Sequence, residues 1–155
     1  MLTRYLEAFG PASKRDAAAW AGVAQRDFPW HRVATVSYRD ERGVELLDLP
    51  GRPLPPASTR LPPRFLGHWD QPLLAYADRD RILPHALKPL RLTLSGDTTL
   101  TVDGRVAASW TIEGPKLTIT PHTEVARTAE LHAEALRTAR FCAPEHDRHE
   151  VAWST

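Results

Sequence analysis

Apolar residues fall at Leu2, Leu6 and Phe9, a helical spacing, and Gly10-Pro11 closes the run. Ser13-Lys14-Arg15-Asp16 then has the S-x-x-D form of a capping box. The serine hydroxyl accepts an otherwise orphan N–H, and the carboxylate reaches back to the serine backbone. The helix it opens runs through Ala17 and Trp20 and stops at Gly22. A further short helix is predicted from Asp27 as N-cap, through Trp30, to about Val33, with Pro29 tolerated because it lies in the first turn. Two β-leaning runs, Val33 to Tyr38 and Val44 to Leu49, flank the polar turn Arg39-Asp40-Glu41-Arg42-Gly43 and predict a hairpin.

Helix, helix, short helix, hairpin is the order of a winged helix-turn-helix. In that arrangement the third helix lies in the major groove while the hairpin reaches a neighbouring phosphate or the minor groove. Residues 50–63 (PGRPLPPASTRLPP) hold six prolines and a glycine and have little to bury, which predicts an extended connector. Beyond it, Leu92/Leu94, Leu100/Val102, Val106/Ala108/Trp110/Ile112 and Leu117/Ile119 alternate with polar residues. Asp103-Gly104 is a hairpin signal and Glu113-Gly114-Pro115 marks another turn, so an antiparallel meander of about four strands with one buried face is expected. Thr123 is placed to cap a helix from Glu124 to Cys142. Its apolar side is read as Val125, Ala129, Ala133 and Leu136, with Leu131 and Ala135 beside them, closing the sheet. The tail after Pro144 reads as loose.

The expected fold is therefore α+β: a partial winged helix-turn-helix at 1–49 and a Pro-rich linker at 50–63. A small antiparallel meander or half-barrel with its closing helix follows at 64–143, and a tail at 144–155.

Charge changes this picture little. Lys+Arg 20 against Asp+Glu 19 leaves +1, so no global basic field announces a nucleic-acid binder. Residues 1–63 carry nine basic and seven acidic side chains, and 64–155 eleven and twelve. Seventeen of the basic residues are Arg, a fork suited to phosphate and carboxylate, although a GC-rich genome accounts for most of that bias. The single Cys142 excludes an intramolecular disulfide and any CxxC zinc or redox motif. No apolar run approaches the ~20 residues that span a bilayer, and MLTRYLEAFG lacks a signal-peptide core, so a cytoplasmic protein is expected.

Three clusters invite chemistry, each with a plainer reading beside it. Lys14, Arg15, Arg26, His31 and Arg32, with Arg39 and Arg42 of the hairpin, can neutralise phosphates or enter a narrow minor groove. Asp16, Asp27, Asp40 and Glu41 dilute that patch and favour a solvated surface instead. Arg64, Asp70, Asp78, Arg79 and Arg81 form a second charged segment. A carboxylate there could orient water or steady a cationic sugar-like transition state. In the plainer reading, Asp70 and Asp78 pair with Arg64, Arg79 or Arg81 to pin the loop. Glu145-His146-Asp147-Arg148-His149-Glu150 has metal-ligand residue types, but it lies beyond a proline with no matching ligand pair elsewhere, and it reads as a solvated tail. No metal and no cofactor are expected.

Four segments in order resemble one family. RYLEAFGPASKRDAAAWAG, LLDLP, RFLGHWDQPLLAYADRDRILP and LTVDGRVAASW, together spanning about residues 3–142, are similar to segments of the winged-helix DNA-binding family of AlkZ and YcaQ type DNA glycosylases, in their C-terminal part. The resemblance implies tandem winged helices followed by a β-rich domain, and double-stranded DNA as the partner. It also implies that catalysis belongs to a Gln-x-Gln or Gln-x-Asp pair in the first winged helix, which holds and polarises a water against the sugar carbon. This chain has two glutamines, Gln25 and Gln71. Gln25-Arg26-Asp27 matches the letters but falls in the later winged helix, and it is read as chance. Ala108 also stands where the family pattern has glycine.

A non-catalytic, N-terminally truncated DNA-binding family member is expected. It would bind DNA weakly or bind another protein, and its DNA contacts would come from the seven residues above with Arg64, Arg79 and Arg81. The alternatives are part of a split or mis-started glycosylase acting on alkylated or crosslinked DNA, partnered by a separate N-terminal domain, and a gene remnant.

Overall fold

The structure, a computed structural model, describes residues 1–90 and 98–154. Its contacts gather into two units: Met1–Ser58 with Gln71–Arg79, and Thr59–Asp70 with Asp80–Thr155. The segment Gln71–Arg79, grouped by sequence with the β-rich part, thus packs with the first unit.

The first unit begins with α1 (Leu2–Phe9) and α2 (Lys14–Ala21). Leu2, Tyr5 and Leu6, at spacings of three and four, turn one face of α1 inward, where Ala12, Ala17, Ala18 and Phe28 meet it. Tyr5, Phe9 and Trp20 pack ring against ring, with centroids 5.4 and 5.2 Å apart for Tyr5–Phe9 and Tyr5–Trp20. The capping box at Ser13 is formed in both directions, and α2 ends at Gly22 in the left-handed region as the sequence signals. At Gly10 the need is for space. Its φ of −72° suits any residue, but a Cβ would run into the Asp48 carboxylate and sit 2.7 Å from the Leu6 carbonyl oxygen.

The hairpin is β1 (Val36–Arg39) paired antiparallel with β2 (Glu45–Asp48). Ala12 extends it, exchanging backbone hydrogen bonds with Leu47 at 3.0 and 2.8 Å. A short helix α3 (Gln71–Leu74) completes the unit, and the Tyr5 hydroxyl donates to the Ala75 carbonyl at 2.8 Å.

The helix expected from Asp27 to Val33 does not form. Two 3-10 turns, Gln25–Asp27 and Trp30–Arg32, stand in its place. The cause is local: the residue before a proline is driven out of the α region, and Phe28 accordingly lies at φ −80°, ψ 131°. Phe28 and Trp30 stack at 4.4 Å, and the Trp30 indole donates to the Gln25 carbonyl at 2.9 Å. Those contacts hold the two turns without a helical ladder.

The second unit is built on a five-stranded sheet. Its strands, in spatial order, are β3 (Arg64–Leu66), β4 (Thr99–Val102), β5 (Arg105–Glu113), β6 (Lys116–Pro121) and β7 (Glu150–Trp153). The Asp103-Gly104 turn is a two-residue hairpin with both residues at positive φ, 47° and 74°, as the dipeptide predicts. The strand expected at Leu92/Leu94 lies outside the described residues. The tail is not loose: β7 adds to β6 in parallel, with Lys116 opposite Glu150 and Ile119 opposite Trp153. The antiparallel meander thus carries a parallel fifth edge.

The closing helix α4 spans Ala129–Cys142, shorter than Glu124–Cys142. Its cap is Thr128, whose hydroxyl accepts from Leu131 N–H at 3.2 Å. Thr123 cannot serve, because the backbone N–H groups of His122 and Thr123 both donate to Ala107 of β5. The buried stripe is Leu131, Ala135 and Ala139, four residues apart, while Ala129 and Ala133 face outward. With Leu100, Ala108, Trp110, Leu117 and Ile119 they form the core. The helix touches both edge strands, β3 and β7, so the sheet curls around it as a half-barrel. Among the described residues no helix is long and apolar enough to cross a membrane.

Candidate nucleic-acid interface

The basic residues of the first unit divide by what already holds them. Lys14 and Arg15 occupy the first turn of α2 because Ser13 and Asp16 fix that turn. Lys14 lies 3.6 Å from the Glu45 carboxylate of β2, whereas Arg15 is exposed and has no ion pair or hydrogen bond among the described residues. Arg26 sits 3.7 Å from its neighbour Asp27, and both are solvated. His31 and Arg32, on the second 3-10 turn, are exposed and unpaired among the described residues. Their backbone is set by the Phe28–Trp30 stack rather than by a recognition helix.

At the hairpin tip the cations are engaged. Arg39 donates to the Gly43 carbonyl at 3.0 Å. Arg42 donates to Asp40 through Nε and Nη2 at 3.3 and 3.2 Å, and to Asp78 through Nη1 at 2.8 Å. Asp40 also accepts the backbone N–H groups of Val44 at 2.8 Å and Arg42 at 3.0 Å. The Val44 bond first, and the Arg42 bonds after it, hold the Asp40 carboxyl below its ordinary range against a smaller opposing effect of burial. The bond from Asp78 raises the Arg42 guanidinium further. Arg42 is therefore a strut between the hairpin and the segment after α3.

Asp16 is the residue whose role the sequence half-disclosed. It is buried, with Oδ2 in the capping box. Its Oδ1 accepts from the backbone N–H groups of Ala77 and Asp78 at 2.9 and 3.3 Å. The S-x-x-D spacing announces the cap, but no local signal announces a joint to residues sixty positions away.

In the second unit Arg64 donates to the Pro63 carbonyl at 3.0 Å and lies 3.6 Å from Glu134 of α4. Arg81 is exposed in the same unit, and half-buried Arg79 belongs to the first. Asp70 accepts from the Gly67 N–H at 3.3 Å, closing its own loop. Asp70 thus closes its loop on a backbone N–H, and Asp78 accepts from Arg42, an arginine the sequence assigned to DNA. The Glu145–Glu150 run is ordered. His146 meets Glu145 at 3.3 Å, a ring nitrogen of His149 lies 2.9 Å from the Ala143 carbonyl, and Glu150 begins β7. No three His, Cys, Asp or Glu side chains among the described residues gather to hold a metal ion.

Both glutamines have structural settings. Gln71 Oε1 accepts the Trp20 indole N–H at 3.2 Å, and Gln25 lies in the first 3-10 turn with its carbonyl on Trp30.

A family model described as DNA glycosylase AlkZ-like matches residues 1–141. Among solved structures, Streptomyces sahachiroi DNA glycosylase AlkZ is similar, with a TM-score of 0.77 and 23% identity. The match covers 99% of this chain and 44% of that one, so the chain spans less than half of the AlkZ length. At this identity the likeness speaks for the fold. No curated protein matches.

Proposed function

The chain belongs to the AlkZ-like DNA glycosylase family, and from that premise we propose that residues 1–155 are a DNA-binding part of such a protein that does not itself break the glycosidic bond. The first unit acts as a worn winged helix in which Arg15, His31 and Arg32 meet phosphates. Arg42 serves as a strut within the unit. One observation carries the reading: the family match runs through 141 residues, in which the Gln71 carboxamide accepts the Trp20 indole and Gln25 lies in a 3-10 turn beside Asp27. Stacked aromatics in place of a recognition helix favour backbone contact over base reading, because phosphate contacts need donors at the surface and no helix in the groove.

The experiment is binding of a labelled duplex across a salt series. Phosphate contacts give an affinity that falls linearly in log–log form, by about 0.9 in slope for each phosphate neutralised. No binding at low salt overturns the DNA reading, and base release from alkylated duplex by this chain alone overturns the non-catalytic part.

A second reading is favoured by the 44% coverage of the AlkZ structure. In it, the same residues are the DNA-gripping half of an active glycosylase whose water-positioning pair comes from sequence outside these 155 residues. Translating the DNA upstream of Met1 and finding a Gln-x-Gln or Gln-x-Asp segment would favour it.

A further inference from the structure

Between β3, β5 and α4 lies a cavity of about 370 Å³, lined by Phe65, Trp110, Arg137, Thr138 and Phe141. That volume is within the roughly 300–1,000 Å³ of small-molecule sites. We propose that it receives one unpaired base of a DNA strand, stacked against Phe141, with the adjoining phosphate on Arg137. This rests on the DNA reading above and extends it to a second, different contact.

Three features select that occupant. Phe141 is 86% exposed at the rim, a ring on the outer side of α4 that nothing in the unit covers. Phe65 and Trp110 form the floor, packed edge to face at 5.8 Å. Two of the polar groups nearby are already used: the Trp110 indole donates to the Leu66 carbonyl at 3.0 Å, and the Thr138 hydroxyl donates to the Glu134 carbonyl at 3.0 Å. The cavity thus offers ring faces, with the Arg137 guanidinium and the Cys142 thiol as its remaining donors, a lining suited to sequence-tolerant stacking more than to reading a base edge.

Charge supplies the third feature. The Glu134 carboxylate is shared by Arg137 and by Arg64, at 3.6 Å for the latter. Two guanidiniums face one carboxylate, and both are more than half exposed, at 72% and 52%. The surplus positive charge beside an apolar slot complements a nucleotide, with its flat base and anionic linkage. An apolar peptide gains nothing from that charge, and an intact duplex keeps its base faces covered.

The test uses the full chain with a single-stranded oligonucleotide carrying 2-aminopurine and a blunt duplex of the same sequence, at low salt. The single strand is expected to bind with its 2-aminopurine emission altered. Phe141→Ala should weaken it by roughly 5- to 150-fold, while Phe141→Tyr keeps affinity and duplex binding stays as it was. Because Phe141 is exposed, its truncation leaves the fold intact, which a thermal melt checks. Unchanged single-strand affinity in Phe141→Ala overturns the proposal, and the duplex reading survives if salt-sensitive duplex binding persists. Phe141-dependent single-strand binding without duplex binding upholds the proposal and removes the duplex reading. Absence of binding to either DNA overturns both. Self-association abolished by Phe141→Ala, with no effect on the oligonucleotide, overturns it in favour of a protein contact.

Discussion

Asp16 and Asp48 are buried at the joints of the first unit, whereas the enclosed residues of the second include Leu100, Ala108, Leu117, Ile119, Ala135 and Ala139. The contrast follows from element length. Helices of eight residues and strands of four build the first unit's core around Leu2, Tyr5, Leu6 and Phe28, and buried carboxylates that accept backbone N–H groups tie its segments as well. Asp16 ties α2 to residues 77 and 78. Asp48 accepts from Leu49 N–H at 2.8 Å and meets Arg52, which also donates to the Leu6 carbonyl. The second unit has a nine-residue central strand and a fourteen-residue helix, and each fully buried Leu or Ile there contributes roughly 1.5–3 kcal/mol. The first unit adds buried charged joints to its apolar core, and the second rests on a longer sheet and helix.

The widest separation between the two should come from Ile119→Ala. Ile119 is fully enclosed in the core formed by the sheet and α4, so its truncation should cost about 2–5 kcal/mol in urea unfolding through lost transfer energy and the cavity left behind. A loss below about 1 kcal/mol, the cost of a conservative swap, would mean that the second unit's core is loosely packed and that the contrast is false.

The joints of the first unit are probed next by comparing Asp16→Ala with Ser13→Ala. Ser13→Ala removes one side of the cap and should cost about 1 kcal/mol. Asp16→Ala removes the reciprocal cap and also leaves the Ala77 and Asp78 N–H groups without their acceptor. It should cost more, about 1–3 kcal/mol beyond the cap. Equal losses would show that the contact to residues 77–78 carries no stability and that α2 is held by its cap alone.

How much of this contrast can be read in the letters depends on the range of each contact. The capping box, the Asp103-Gly104 hairpin and the alternation from Val106 to Ile119 are local patterns, and each is found where its spacing places it. Pro29 is equally local, and its effect on Phe28 outweighs the N-cap preference of Asp27. β7 escapes detection because EVAW is four residues long in a charged tail, and it becomes a strand by borrowing the free edge of β6. Thr128 takes the cap in place of Thr123, whose own segment is tied to Ala107 through the His122 and Thr123 N–H groups, a partner that no window around residue 123 contains. The candidate interface was legible as residue types and illegible as availability. Arg32 and Arg42 look alike in sequence, yet only the latter is committed to Asp40 and Asp78.

That distinction gives the third prediction, which concerns affinity. If the first unit binds duplex through its unengaged cations, Arg32→Ala should reduce the salt slope of binding by about 1. Arg42→Ala should leave the slope unchanged and instead lower stability, because the strut to Asp78 is lost. The opposite outcome would make the wing the DNA contact and the 3-10 turn a bystander.

The smallest effect is expected from pH, at the hairpin turn, where a polar joint lies at the surface. Asp40 titrates below its ordinary value of 3.8, first because it accepts the Val44 N–H and then because it bonds Arg42. A carboxyl lowered by folding contributes stability that is present above its unfolded value and is lost as pH falls through the folded one. Asp40→Asn removes this titration. Its melting temperature should lie slightly below that of the wild type at about pH 6, and the gap should close as pH drops beneath the ordinary carboxyl range. Arg42 keeps its bond to Asp78, the first cause of its own upward shift, so the hairpin remains tied to the segment after α3 while the turn itself loosens. A gap that stays constant with pH would mean that Asp40 acts by shape alone, and the tip of the hairpin would then lack the charged joint that marks the rest of the first unit.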